Sequence, residues 1–124
     1  MFEIFVKTQF SAAHRLAGYP GNCANWHGHN WDVTVTLGVA ELNALGLAVD
    51  FRDVKREVGA LMAELDHTAL NENPAFVAPN PTCEVVARHL YRSLQERLRA
   101  IQSPARVLRV QVSETPNAGA VYYE

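Results

Sequence analysis

Two alternations of apolar and polar residues open the chain. Phe2, Ile4, Val6, Phe10, Ala12 and His14 share one parity, interrupted by Thr8, while Glu3, Lys7, Gln9 and Ser11 take the other. A period of two marks a half-buried strand, here over residues 2–14. Trp31, Val33, Val35 and Leu37 alternate with Asn30, Asp32, Thr34 and Thr36, which predicts a second strand over 27–38, antiparallel to the first. Residues 15–26 hold Gly18, Pro20, Gly21, Asn22 and Asn25 and read as the loop between them. The period then changes. Phe51, Val54, Val58, Leu61, Met62 and Leu65 recur at helical spacing behind Asp50, a suitable N-cap. "NENPAFVAPNP" (71–81) is a Pro/Asn-rich connection. Thr82 caps a second helix with the stripe Val86, Leu90, Leu94, Leu98 and Ile101. Residues 106–114 form a third strand, with Leu108, Val110 and Val112 on one face and Arg109 and Gln111 on the other; "AGAVYYE" (118–124) supplies a short fourth. The order ββααββ predicts an α+β fold, an antiparallel sheet with two helices on one face. Residues 1–124 are expected to form one domain.

Composition narrows the function classes. Apolar residues make up 48% of the 124 residues, enough for a proper core. The formal net charge is −2 and no basic run occurs, so electrostatics do not suggest a nucleic-acid partner. No apolar stretch approaches the roughly 20 residues of a membrane span. "MFEIFVKTQF" lacks the apolar core of a signal peptide. Two cysteines, Cys23 and Cys83, are too few for a disulfide framework. A cytoplasmic protein with free thiols and no membrane partner is expected.

The chemistry gathers around "CANWHGH" (23–29). Side chains at i and i+2 of a strand share a face, so His27 and His29 continue the row of Trp31 and Val33. His14 continues the apolar row of the first strand, and an antiparallel hairpin brings its end beside the start of the second. His14, His27 and His29 therefore converge on the inner face. Three imidazoles at an apolar margin need hydrogen bonds of their own or one shared metal. Three histidines with an open position suit catalytic zinc; a closed structural site with Cys23 as fourth ligand is the alternative. Asp66 precedes His67 at the end of the first helix and can orient its ring; a helix cap or surface pair is the alternative. Glu114 shares the parity of Leu108, Val110 and Val112 and points inward, where a carboxylate needs donors: an arginine, or a ligand with two adjacent N–H groups. Cys83 reads as structural.

"FSAAHRL" (10–16), "CANWHGHNW" (23–31), "VDF" (49–51), "LDHTALN" (65–71), "NPTCE" (80–84) and "SETPNAG" (113–119) follow one another along nearly the whole chain. Together they resemble the family of 6-pyruvoyl- and 6-carboxytetrahydropterin synthases. The resemblance implies the T-fold, in which ββααββ subunits join their sheets into a barrel. It also implies a homohexamer of two trimers with active sites between subunits. It makes His14, His27 and His29 the zinc ligands and Cys23 the catalytic cysteine. Asp66 and His67 become a pair that reaches a neighbouring subunit's cysteine, and Glu114 the anchor of the pterin's 2-amino and N3 protons. The spacing C-x-x-x-H-G-H resembles the carboxy-forming branch of queuosine biosynthesis; the pyruvoyl-forming type has a longer gap.

The implied substrate is 7,8-dihydroneopterin triphosphate, and the implied products are 6-carboxy-5,6,7,8-tetrahydropterin, acetaldehyde and triphosphate. Zinc would act as Lewis acid. Cys23, as thiolate, would move protons with His67 as partner, and a tight turn around Gly28 would hold metal ligands and base together. Lys7, Arg15, Arg52, Lys55 and Arg56 are candidate cations for the triphosphate. Ser113 stands where many relatives carry lysine, and Cys83 where many carry serine. The pyruvoyl-forming activity and a non-enzymatic, zinc-stabilised binding domain are the competing readings.

Overall fold

The computed structural model describes residues 1–76 and 79–124. The first alternating run forms β1 (Phe2–His14) and the second β2 (His27–Val39). They pair antiparallel in unbroken register from Phe2 opposite Val39 to His14 opposite His27. Helix α1 (Phe51–Leu65) starts where Asp50 accepts the Arg52 N–H, and helix α2 (Cys83–Ala100) where Thr82 accepts that of Val85. A two-residue strand, β3 (Thr68–Ala69), joins them, and β4 (Arg106–Thr115) and β5 (Ala118–Tyr122) complete the chain. The sheet runs β3-β1-β2-β4-β5.

Both helices cover one face, α1 against β1 and α2 against β4 and β5. The core between the layers joins Val6, Phe10, Trp31, Val33, Val35 and Leu37 of the sheet to Val54, Val58, Leu61 and Leu65 of α1 and to Val86, Leu90, Leu94 and Leu98 of α2. The opposite face carries the polar parity and has no covering layer among the described residues. No described helix is long and apolar enough to cross a membrane.

The departures from the sequence pattern are local. Strand β3, absent from the expected ββααββ order, pairs parallel with β1 through Ala12 and Ala13, an addition too short to leave a periodic signature. Phe51 is exposed on the first turn of α1, and Ile101, expected in the second helix stripe, is the exposed C-cap of α2. Leu108 does not share the core face of Val110 and Val112. A register shift leaves it out of the β2–β4 ladder, so Val107 is buried instead and Leu108 packs over Gly38. Gly28 lies inside β2, not in a tight turn; strand parity alone keeps His27 and His29 together. The connection expected over 71–81 holds a three-ten turn at Pro74–Phe76, and its Val77 and Ala78 lie outside the described residues.

Candidate functional site

The hairpin register decides where the histidines meet. His14 stands opposite His27, and Ala12 opposite His29. All three imidazoles project from the helix-covered face, and one ligand atom from each lies within 4.8 Å of the other two. Trp31 forms the floor. It is fully buried, stacks on Phe10 with ring centroids 5.6 Å apart, and donates its Nε1–H to the Ala12 carbonyl at 3.1 Å. His14 meets it edge-on at 4.7 Å and His29 at 5.5 Å.

Hydrogen bonds set the tautomers. His14 Nδ1 lies 2.8 Å from the Pro81 carbonyl and His27 Nδ1 2.8 Å from that of Asn25. A carbonyl only accepts, so both Nδ1 atoms carry a proton, and in the neutral ring it is Nε2 that presents the lone pair. Burial pushes the His14 imidazole below its ordinary value of 6.5, against the opposing pull of Pro81 and Glu114. It is neutral at pH 7, the form a metal requires. The Nε2 atoms of His14 and His29 are buried without a hydrogen-bond partner. Two orphaned buried nitrogens pointing at one place are costly, and a shared cation satisfies both. The three histidines therefore fit a divalent metal.

A carboxylate borders this cluster. Glu114 Oε1 lies 3.6 Å from His14 Nε2, and Oε2 lies 3.9 Å from His29 Nε2, beyond hydrogen-bond length. Its aim has a backbone cause. The β4–β5 ladder shifts register between Ser113 and Thr115, leaving Glu114 as the extra residue of a bulge; bulges re-aim side chains. The opposing Gly119 permits this, because a Cβ there would lie 2.4 Å from the Val112 carbonyl oxygen. Cys83, in the first turn of α2, abuts the same carboxylate. Burial, then the charge of Glu114, pushes its thiol up to about 12, so it stays protonated.

The other candidates stand apart from the cluster. Cys23 is exposed in a three-ten turn, Asn22–Ala24, and its carbonyl accepts the Leu16 N–H at 2.8 Å. Asp66 and His67 sit on the edge of β1 away from β2. Asp66 accepts the Ser11 N–H at 2.8 Å and, through its other oxygen, holds His67 Nδ1 at 2.8 Å. The His67 N–H closes the bracket on the Ser11 carbonyl, with φ at 57°. The Ser11 amide, then His67, holds the Asp66 carboxyl below its ordinary value. The His67 side chain is 82% exposed. It borders an open cleft of about 620 Å³ with Ser11, Gly28, His29 and Thr68. The sequence signals missed Pro81, Asn25 and Trp31 as supports of the histidines. For the two carbonyls no residue-type signal exists, since any residue supplies one.

Comparison with known proteins places this geometry in a family. The family model described as 6-pyruvoyl tetrahydropterin synthase matches residues 3–124. The 6-carboxy-5,6,7,8-tetrahydropterin synthase of Bacillus subtilis is 33% identical over 98% of this chain and 84% of its own length. The 6-pyruvoyl tetrahydrobiopterin synthase of Homo sapiens is 34% identical over 97% of this chain and 90% of its own. The solved structure of 6-pyruvoyl tetrahydropterin synthase from Caenorhabditis elegans superposes with a TM-score of 0.86 at 26% identity, covering 99% of this chain and 95% of that one. From its third residue to its last, the chain belongs to the 6-pyruvoyl tetrahydropterin synthase family, and its one-sided sheet with two helices is the T-fold.

Proposed function

We propose that this chain catalyses the 6-carboxy-5,6,7,8-tetrahydropterin synthase reaction of queuosine biosynthesis, in the cytoplasm, as a zinc-dependent carbon–carbon lyase formed by one domain over residues 1–124. With consumption of one water, it converts 7,8-dihydroneopterin triphosphate to 6-carboxy-5,6,7,8-tetrahydropterin, acetaldehyde and triphosphate. The observation that carries this reading is the pairing of the two orphaned Nε2 atoms with the bulge-aimed Glu114 carboxylate. A metal seat and an acceptor for two adjacent N–H groups lie side by side. The pterin ring presents such donors at its 2-amino group and N3, and charge-assisted bonds to Glu114 fix its orientation.

His14, His27 and His29 would hold the zinc. When bound, zinc supplies Lewis acidity that makes the C–H beside the substrate's side-chain oxygens easier to deprotonate. Cys23 moves the proton as thiolate, and His67, oriented by Asp66, exchanges it. His67 is turned outward on an open sheet edge, which supports a site completed by a neighbouring subunit. The assembly we propose is a homohexamer, a dimer of trimers whose sheets join edge to edge into a barrel. Both β5 and most of β1 offer unpaired edges for that joining.

The short gap of C-x-x-x-H-G-H favours the carboxy-forming reaction over the pyruvoyl-forming one. Zinc-loaded protein incubated with 7,8-dihydroneopterin triphosphate should release acetaldehyde and the 6-carboxy product, identified by mass. A 6-pyruvoyl product would assign the sibling activity. No turnover, with Cys23 on the metal, would make the protein a zinc-stabilised binding domain.

A further inference from the structure

Beyond His14 the chain leaves β1 and runs into a turn that the Tyr19 N–H closes on the Leu16 carbonyl, and it is bracketed on both sides. On the side of β3, Asn71 Oδ1 accepts the Arg15 N–H at 2.9 Å, and Asn71 Nδ2 donates to the Arg15 carbonyl at 2.9 Å. Asn80 repeats the pattern two residues on. Its Oδ1 accepts the Ala17 N–H at 2.9 Å, and its Nδ2 donates to the Ala17 carbonyl at 3.2 Å. Two asparagine amides thus stand in for the next residues of a neighbouring strand, each supplying one acceptor and one donor. Leu16, between them, faces the other way and gives its N–H to the Cys23 carbonyl at 2.8 Å.

We propose that Asn71 and Asn80 are positioning residues for Cys23. They clamp Arg15 and Ala17 on one edge so that Leu16, on the other, holds the cysteine turn against the end of the histidine hairpin. The far side of that turn is tied to the metal cluster through the Asn25 carbonyl on His27 Nδ1. Asn80 is also next in sequence to Pro81, whose carbonyl holds His14. One short segment therefore fixes a metal ligand and the cysteine loop together. Without the clamps, Leu16 and Cys23 share one hydrogen bond in an otherwise glycine- and proline-containing loop, and the cysteine turn loses its fixed place beside the hairpin.

The inference rests on the catalytic reading of Cys23, and the test separates the two. Asn71→Ala and Asn80→Ala are measured as zinc-loaded protein with 7,8-dihydroneopterin triphosphate, alone and in a Cys23→Ala background. Misplacing a reacting group by about 1 Å costs up to ~100-fold, so kcat should fall about tenfold or more. For Asn71→Ala, which lies away from the Pro81 carbonyl on His14, KM should stay within about twofold and zinc content should not change, because neither the Glu114 anchor nor the histidines are touched. In the Cys23→Ala background the same substitutions should leave the residual kcat where it was, since residues acting through one group are not additive. Unchanged kcat in the single variants overturns the proposal, as does a full-sized loss that persists without the cysteine. Near-normal turnover of Cys23→Ala alone overturns the catalytic reading of Cys23 and this inference with it. Hydrogen exchange on the unmutated protein covers variants that fail to fold: the amides of Arg15, Leu16 and Ala17 should be protected, and exchange as fast as that of Gly18 overturns the clamp.

Discussion

His14, a proposed metal ligand, depends on its surroundings in several ways. Its burial keeps it neutral, the Pro81 carbonyl fixes its tautomer, and Trp31 fixes the depth of its ring. Trp31→Ala should therefore do two things. Loss of a fully buried tryptophan costs about 3–5 kcal/mol of stability in denaturant unfolding, and zinc affinity should drop in the same protein. Glu114→Ala separates anchoring from metal binding: zinc should stay while pterin affinity weakens by about 1–3 kcal/mol, measured by titration, because paired donors are left unsatisfied. Asp66 gives a pH prediction. Its folded value lies below the ordinary 3.8, so its contribution to stability is complete above pH 3.8 and is lost as pH falls through the folded value. Asp66→Asn should flatten the loss of stability below pH 3.8, and an acid limb as steep as that of the unmutated protein contradicts the bracket on Ser11. Much of this scale was legible in the sequence, since parity put His14, His27 and His29 on one face and pointed Glu114 inward, although the bulge that sets its final aim was not. The carbonyls of Pro81 and Asn25 were not, because main-chain acceptors leave no trace in residue type.

The elements were read well where periodicity governs them. Asp50 and Thr82 announced both helices, and the hairpin of β1 and β2 followed from two uninterrupted alternations. Periodicity fails where a partner strand dictates the geometry. Leu108, Val110 and Val112 form a regular row in sequence, yet pairing with β2 turns Leu108 to the other face. The bulge at Glu114 is likewise a property of the β4–β5 pair, and Gly119 is its requirement. A Cβ at Gly119 would meet the Val112 carbonyl at 2.4 Å and Ser113 Cα at 2.8 Å, both backbone atoms that cannot swing aside. Gly119→Ala should push β5 from β4 and turn Glu114 away. The strain should cost about 1–3 kcal/mol in thermal or denaturant unfolding, and pterin binding should weaken with zinc retained. A variant with undiminished pterin affinity would show that the bulge does not aim the carboxylate.

At the scale of the whole molecule, one subunit presents the groups of the proposed reaction on different surfaces. The histidines and Glu114 lie at the helix-covered end of the hairpin, while His67 stands outward just before β3, on the edge of β1 away from β2, 82% exposed. An exposed histidine in strained backbone, held by Asp66 and by the Ser11 carbonyl, is over-determined for a surface residue. Sheet edges left open at both ends of one subunit give it a place to act. This arrangement predicts complementation. Cys23→Ala and His67→Ala, each nearly inactive alone, should regain activity when subunits are dissociated, mixed and reassembled. A site then draws its cysteine from one variant and its histidine from the other. In a cyclic assembly with random mixing, about a quarter of the sites have both groups intact, so turnover should approach a quarter of the unmutated rate. Activity that stays at the level of the separate variants, in a mixture shown by native mass spectrometry to contain both subunits, would mean that each subunit works alone. His67 would then be a surface histidine, and the proton partner of Cys23 would have to come from its own subunit.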